Sequence, residues 1–204
     1  MEQDAREWLT SRAAAFLRRA GLEEGQTVLD FGCNEGNYAA PAARVVGEAG
    51  RVYALDKDAE AVQALREASR QKGLDNVECL RVAEDGRLPL PAGSVDAVLL
   101  YDVLHRGYFP ERERRMKALG RIYRVLRPKG VLSFYPTHLK KFGMTFERAL
   151  AEVRAVGFKL IGVSRRRLVH NGHLTRGRLF TFRKSGGPGK ERAEAGRAQE
   201  RPVH

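Results

Sequence analysis

The stretch that decides the fold of this 204-residue chain is residues 28–38, Val-Leu-Asp-Phe-Gly-Cys-Asn-Glu-Gly-Asn-Tyr. Its first residues are apolar, as in a buried strand, and its glycines stand where that strand passes into a helical pattern. Glycine at such a turn lets the backbone approach a ligand without a Cβ atom in the way. The stretch therefore predicts a strand, a ligand-binding turn and a helix in direct succession.

Short apolar strands and longer helical patterns alternate along the rest of the chain. A leading helix is predicted over Asp4–Ala20, with Gly21 as its C-cap. The predicted strands are Thr27–Phe31, Arg51–Leu55, Val77–Val82, Val95–Tyr101, Val131–Tyr135, Lys159–Ser164 and Arg178–Arg183. The other predicted helices are Tyr38–Val46, Asp58–Lys72, Glu111–Leu126 and Phe146–Val156. Repeated strand–helix–strand units predict an α/β fold with a seven-stranded, mostly parallel sheet and helices on both faces.

The last two predicted strands have no helical pattern between them. They are linked only by residues 165–177, so we expect an antiparallel hairpin at the edge of the sheet. The run Arg165-Arg166-Arg167 in this link is interpreted as a solvated turn. From Ser185 the chain continues with Gly-Gly-Pro-Gly and then alternating charges and alanines. We therefore expect one domain over residues 1–184, with the leading helix in 1–21, and a disordered tail over 185–204.

The composition excludes several classes of protein. With 43% hydrophobic and 30% charged residues, the chain can bury one core but not two ordinary domains. No stretch approaches the ~20 apolar residues of a membrane span, and the charged start Met1–Thr10 differs from a signal peptide. A cytoplasmic protein without a membrane partner is expected. Cys33 and Cys79 lie in apolar segments without metal-ligand spacing, so we expect neither a disulfide framework nor a metal site.

The formal net charge of +12 allows two interpretations. A basic surface attracts polyanions and is typical of proteins that bind nucleic acids. The basic residues are, however, spread along the chain and are mostly arginine, which also suits a solvated surface with many ion pairs. The second interpretation is favoured, and nucleic acid stays open as a less favoured partner.

A carboxylate ends the second predicted strand, in the sequence Arg-Val-Tyr-Ala-Leu-Asp56. At that place it can accept hydrogen bonds from both hydroxyls of a ribose, which predicts a ribose-bearing cofactor. A dinucleotide is a weak interpretation, because the three glycine positions that would hold its pyrophosphate are Gly32, Asn34 and Asn37.

The turn resembles the first motif of class I S-adenosyl-L-methionine (SAM)-dependent methyltransferases, an acidic residue followed by three glycines at alternate positions. Asp30, Gly32 and Gly36 match this motif. Asn34 replaces the middle glycine, and asparagine tolerates the left-handed backbone that such a turn needs. The resemblance covers roughly residues 22–183 and is greatest to small-molecule enzymes related to ubiquinone and menaquinone methyltransferases. It implies a Rossmann-like fold, SAM as cofactor and an unidentified small-molecule acceptor.

Two further stretches carry the resemblance. Residues 81–96 are similar to the third-strand region of the family, where an acidic side chain, here Glu84 or Asp85, holds the adenine. Residues 121–130 match the helix and turn before the fifth strand. The cofactor contacts that the resemblance implies come from Asp30, Gly32, Cys33, Asn34, Gly36, Asp56, Lys57, Glu84, Asp85 and Tyr101.

Asp102 and His105 are the candidate catalytic residues. They follow the fourth predicted strand, at the carboxyl edge where open α/β sheets bind ligands. Methyl transfer needs alignment, and an oxygen or protonated nitrogen acceptor also needs a base such as a carboxylate or imidazole. An enolate carbon or a sulfur acceptor needs less help and would be positioned by Tyr108, Tyr135 and His138. RNA methylation, or SAM binding without catalysis, are the alternative functions.

Overall fold

The computed structural model describes residues 1–82 and 87–185. Its sheet consists of β1 (Thr27–Phe31), β2 (Arg51–Asp56), β3 (Val77–Arg81), β4 (Val95–Tyr101), β5 (Leu126–Tyr135), β6 (Phe158–His170) and β7 (His173–Lys184). The α-helices of the described residues are α1 (Gln3–Ser11), α2 (Ala13–Arg19), α3 (Ala39–Val46), α4 (Ala59–Gln71), α5 (Arg112–Val125) and α6 (Phe146–Ala155). A short 3₁₀ helix covers Lys140–Phe142. Glu84 and Asp85, the predicted adenine contacts, lie outside the described residues, as does all of the predicted tail after Ser185.

The strands follow the order β3-β2-β1-β4-β5-β7-β6. The first five are parallel, and β7 is antiparallel to both β5 and β6. The predicted α/β fold with its antiparallel hairpin is therefore confirmed. The order of strands reverses between β1 and β4, and the loops that leave these two strands diverge there. They leave a crevice at the carboxyl edge, the usual ligand-binding place of open α/β sheets.

A hydrophobic core lies on each face of the sheet. Residues of α1 to α4, among them Trp8, Leu17 and Leu65, belong to one core. Residues of α5 and α6, such as Leu119 and Val153, belong to the other. Because both faces are covered, β1 and β4 are buried along nearly their whole length, which fixes the positions of the loops they carry. Within the described residues, no helix is long and apolar enough to cross a membrane.

The predicted leading helix is divided into two. α1 ends at Ser11 and α2 begins at Ala13, with Arg12 between them at φ −118° and ψ −21°. The hydroxyls of Thr10 and Ser11 both donate to the carbonyl of Glu7, at 3.0 and 2.7 Å. Such side-chain bonds compete with the helical backbone ladder and bend helices. The prediction of one continuous helix was wrong for this reason.

The hairpin of β6 and β7 is longer than predicted. Asn171 and Gly172 close it with φ values of 47° and 77°, which are typical of a two-residue type I′ turn. The interpretation of residues 165–177 as a link was wrong, because the strands stay paired up to His170 opposite His173. The three consecutive arginines are exposed as expected, but they lie within β6 rather than in a turn.

Ser185, the first residue of the predicted tail, is held against the domain. Its carbonyl accepts a hydrogen bond of 2.7 Å from the hydroxyl of Tyr123, and its side chain donates to the carbonyl of Gly157. The packed domain therefore reaches at least to this residue.

A buried ion pair joins α5 to α6. Arg115 and Glu152 are 1% and 3% exposed, and two N–H···O contacts of 2.7 and 2.9 Å connect them. A further nitrogen of Arg115 donates to the carbonyls of Phe109 and Pro110, at 2.8 and 3.2 Å. The pair therefore fixes the two helices and also the loop that leads from β4 to α5.

Replacing Glu152 by Ala should lower the free energy of unfolding by about 3–5 kcal/mol, because Arg115 would stay buried without its carboxylate. Denaturation in urea at neutral pH measures the difference. The matched control is Glu113→Ala, which removes an exposed ion pair with Lys117 on α5 and should move the midpoint little. Equal losses in the two variants would contradict the role of the buried pair.

Candidate functional site

The carboxylate of Asp56 links two loops at the carboxyl edge. Asp56 is 7% exposed. Its Oδ2 accepts the N–H of Asn34 at 2.9 Å, in the turn after β1, and its Oδ1 accepts the N–H of Asp58 at 3.1 Å. Each oxygen keeps a further lone pair, so the group can also accept donors from a ligand. The predicted position of this carboxylate at the end of β2 is confirmed.

The turn after β1 folds as its residues predict. Gly32, Asn34 and Gly36 have φ values of 83°, 45° and 79°, so Asn34 adopts the left-handed conformation expected of it. A Cβ atom on Gly32 would lie 2.4 Å from Cγ1 of Val103, so glycine is what lets the loop after β4 close on this turn. Cys33 is buried, and burial raises the pKa of its thiol, which leaves the backbone as its chemically useful part.

Asp30 is buried at the end of β1, with 3% of its surface exposed. Its Oδ2 has no hydrogen-bond partner among the described residues. Burial, and after it the charge of Asp56, raise the pKa of the Asp30 carboxyl to about 7, while a backbone hydrogen bond from Ala39 opposes the shift. A ligand that brings a positive charge or an N–H donor would stabilise the ionised form of this carboxyl group.

Lys57 and Tyr108 come together beside Asp56. The ammonium group of Lys57 lies 4.2 Å from the centre of the Tyr108 ring, a cation–π contact. Burial first, and then the charge of Asp56, raise the pKa of the Tyr108 hydroxyl. The loop after β4 therefore reaches across to the side of the crevice where Asp56 lies.

The side chain of Tyr101 belongs to a buried aromatic group. Its hydroxyl shares a 2.8 Å hydrogen bond with Oγ of Ser133, and its ring centre lies 4.8 Å from that of Tyr38. Burial raises the pKa of the hydroxyl. These contacts give the side chain a structural role, and its cofactor contact stays a prediction that no described contact supports.

Three side chains from distant parts of the chain converge near the carboxyl ends of β4, β5 and β6. They are Asp102, His138 and His170, called the Asp–His–His cluster below. Oδ2 of Asp102 lies 2.9 Å from Nδ1 of His170 and 3.8 Å from Nε2 of His138. Oδ1 of Asp102 is buried and has no partner in the described part of the chain. The cluster therefore combines a carboxylate and two imidazoles at the same edge as Asp56.

His105 lies next to this cluster and is hydrogen-bonded at both ring nitrogens. Nδ1 accepts the N–H groups of Gly107 and Tyr108, at 3.0 and 3.2 Å. Nε2 therefore carries the proton, and it donates to the carbonyl of Asp102 at 3.1 Å. Burial is the first cause that lowers the pKa of His105. A neutral ring bound in this way holds the loop and offers no free lone pair to a substrate.

Sequence reasoning found Asp102 and missed His170. The signal that could have found this histidine is the Asn-Gly pair that follows it, because such a pair predicts a tight hairpin turn. With the turn placed there, His170 lies at the tip of the hairpin rather than in a loop.

Residues 29–134 match the family model described as a methyltransferase domain. The chain belongs to this family. The ubiquinone/menaquinone biosynthesis C-methyltransferase UbiE of Escherichia fergusonii is 35% identical over 114 residues, which are 55% of this chain and 43% of that protein. The protein of the same name from Pectobacterium carotovorum is 30% identical over 132 residues, 63% of this chain and 50% of its own. The chain thus spans about half the length of these curated relatives.

Solved structures agree with this assignment. A SAM-dependent methyltransferase from Aquifex aeolicus has a TM-score of 0.66 and 26% identity, covering 85% of this chain and 91% of its own. TrmN from Thermus thermophilus has a TM-score of 0.64 and 25% identity, covering 84% of this chain and 48% of its own. The methyltransferase is therefore of the class I, SAM-dependent type related to UbiE, as predicted, and its cofactor is SAM.

The residues at the carboxyl edge fit this cofactor. The ribose hydroxyls and the ammonium group of SAM are hydrogen-bond donors, and the edge presents two carboxylates, Asp30 and Asp56. The partnerless Oδ2 of Asp30 offers a buried acceptor for such a donor. The contacts of the ten predicted residues with the cofactor remain predictions. Membership of the family and the fold do not test them.

Asp30 gives the cofactor-free protein a specific pH dependence. Because its pKa of about 7 in the folded chain exceeds the ordinary value of 3.8, the folded state keeps a proton that the unfolded state releases. The contribution of this proton to the free energy of unfolding is fully present below pH 3.8, and it is lost as the pH rises from there through about 7. The total change is on the order of 4 kcal/mol.

Urea unfolding of the wild type and of Asp30→Asn across this pH interval measures the effect. The stability of the wild type relative to the variant should fall as the pH rises. A difference that stays constant with pH would show that Asp30 keeps its ordinary pKa.

Proposed function

We propose that this protein transfers a methyl group from SAM to a small-molecule acceptor at the carboxyl edge of the sheet. The observation that carries the proposal is the arrangement of polar groups at one edge of the sheet, near the carboxyl ends of its strands. Asp30 and Asp56 supply hydrogen-bond acceptors for the cofactor, while the Asp–His–His cluster follows β4 and β5 on the other side of the crevice.

When bound, SAM supplies an electrophilic methyl group on its sulfonium sulfur. The task of the chain is to hold the two reactants in line, which contributes on the order of 7–11 kcal/mol in the best intramolecular cases. Asp102, a predicted catalytic residue, is proposed to act on the acceptor together with the two histidines that it contacts. His105, the other predicted catalytic residue, is proposed to act as a positioning residue, since its ring fixes the loop that carries Asp102.

The curated relatives indicate a first acceptor class to test. Both are named C-methyltransferases of ubiquinone and menaquinone biosynthesis, so their names describe transfer to a carbon atom in the formation of a quinone. A quinol or phenol with an activated ring carbon is the corresponding small molecule. The acidic proton of such a compound lies on oxygen, and its removal makes the ring carbon nucleophilic.

One surface favours RNA as a second acceptor class. Arg12, Arg19, Arg166 and Arg167 line a recess of about 530 Å³ that Trp8 also lines. Arginines bind phosphates, so this recess can attract the backbone of a nucleic acid. The small acceptor stays the preferred one because the named relatives act in quinone biosynthesis.

Formation of S-adenosylhomocysteine by the purified chain, measured against a panel of quinols and phenols and against total RNA, tests the proposal. Turnover with a small acceptor is expected. Turnover with RNA alone would replace the small acceptor by RNA. In that case the logarithm of the RNA binding constant should fall linearly with the logarithm of the salt concentration. SAM binding without product in any reaction would contradict methyl transfer.

Asp56→Ala should weaken SAM binding, because it removes charge-assisted hydrogen bonds that contribute about 1.5–3 kcal/mol each. A loss of at least tenfold in affinity is expected by calorimetry. The matched control is Asp58→Ala in the same loop, which removes the N-cap of α4, lowers stability by about 1 kcal/mol and should leave the affinity nearly unchanged. Unchanged SAM affinity in a folded Asp56→Ala protein would rule out the proposed role.

A further inference from the structure

Hydrogen-bond donors around the Asp–His–His cluster define the state of both imidazoles. The Asp102 carboxylate accepts the N–H of His170 Nδ1 at 2.9 Å, so a neutral His170 keeps a lone pair on Nε2. Nε2 of His138 faces the amide nitrogen of Asn171 at 3.3 Å, and that nitrogen can only donate. Nε2 of His138 accepts this N–H in the tautomer that is protonated at Nδ1.

The two imidazoles face each other through these nitrogens. The Nε2 atoms of His138 and His170 are 2.5 Å apart. At this distance the two nitrogens either share one proton in a hydrogen bond, with either ring as its donor, or bind one metal ion between them. The arrangement therefore creates a place for a cation, and the ligand type decides which cation fits.

We propose that the Asp–His–His cluster binds one divalent transition-metal ion. One ligand atom from each of the three side chains lies within 4.8 Å of the other two. Two imidazoles and one carboxylate suit zinc, iron, cobalt or nickel.

The ion fits with a small adjustment of the rings. Zinc–nitrogen bonds of about 2.0–2.1 Å in a tetrahedral site place two ligand nitrogens roughly 3.3 Å apart. The two histidine rings need to open by less than about 1 Å to reach this separation. The carboxylate of Asp102 must also turn from Nδ1 of His170 toward the ion, because Nδ1 and Nε2 face different sides of the ring. Its Oδ1, buried and without a partner among the described residues, is then the third ligand.

The backbone around the cluster is held in an uncommon conformation. Five non-glycine residues of the described chain have positive φ, and three of them belong to the cluster or adjoin it: Asp102 at 57°, His138 at 52° and Asn171 at 47°. Such conformations concentrate at functional sites, where the surrounding structure maintains them. In this chain they set the direction of two cluster members, Asp102 and His138, and form the turn beside the third, His170.

The role of the ion rests on the proposed methyl transfer. Three protein ligands leave at least one coordination position open, as in catalytic zinc sites. An oxygen of the acceptor bound at that position would lose its proton to solvent more readily, because the metal stabilises the resulting anion. The sequence pattern predicted no metal site, because its two cysteines lack the spacing of metal ligands. The three ligands proposed here are far apart in the sequence and meet only in the folded sheet.

Metal binding by the chelator-treated, cofactor-free protein tests the inference directly. Calorimetry with Zn²⁺ and visible absorption with Co²⁺ should each show one ion per chain. His138→Gln, His170→Gln and Asp102→Asn each alter a ligand and should each weaken Zn²⁺ binding by at least about 100-fold, more than the loss of an outer-shell partner does. Zn²⁺ should raise the melting temperature of the wild type and not that of the histidine variants.

His173→Gln is the matched control. This histidine lies across the same turn, exposed and 2.8 Å from a carboxylate oxygen of Glu2, so its replacement should leave metal binding unchanged. A folded wild type that binds no ion, or whose affinity falls as much in His173→Gln as in His170→Gln, would overturn the inference. SAM affinity of the same samples separates the two proposals, because loss of SAM binding alone counts only against methyl transfer.

Discussion

The carboxylate of Asp56 is the interaction on which the ligand-binding edge depends. The strands that meet there are buried on both faces, so polar groups can serve a ligand only at their carboxyl ends. Asp56 joins the backbone of the two loops that leave β1 and β2. The same charge disfavours ionisation of the nearby Asp30. Placing two carboxyl groups close together at this edge lowers the stability of the folded chain, and it provides hydrogen-bond acceptors for a ligand. Such local losses of stability are usual at functional sites.

Buried polar contacts also hold the opposite side of the crevice. Arg115 donates to backbone carbonyls of the loop after β4, and His105 accepts two N–H groups from the same loop. A loop fixed at both places keeps its conformation before any ligand arrives. This side of the site is linked to α6 as well, because Glu152 pairs with the same guanidinium group that donates to the loop.

Local chemistry made the cofactor side predictable from sequence. A glycine-bearing turn after an apolar strand, an asparagine able to adopt positive φ and a carboxylate one strand later all act over short distances along the chain. Tyr101 shows the limit, because its place at the end of β4 was predicted correctly while its side chain packs into the core. His170 shows another, since its position depends on the pairing of two strands whose length the periodicity did not reveal.

The two-residue turn of the hairpin has a consequence for how this protein can change over evolutionary time. Successive side chains of a strand point to opposite faces, so a one-residue insertion or deletion in β6 would turn His170 away from Asp102. The compact Asn-Gly turn leaves no slack to absorb such a shift. Only length changes that keep this parity preserve the contact between His170 and Asp102, so hairpin length would mark the lineages that retain the cluster.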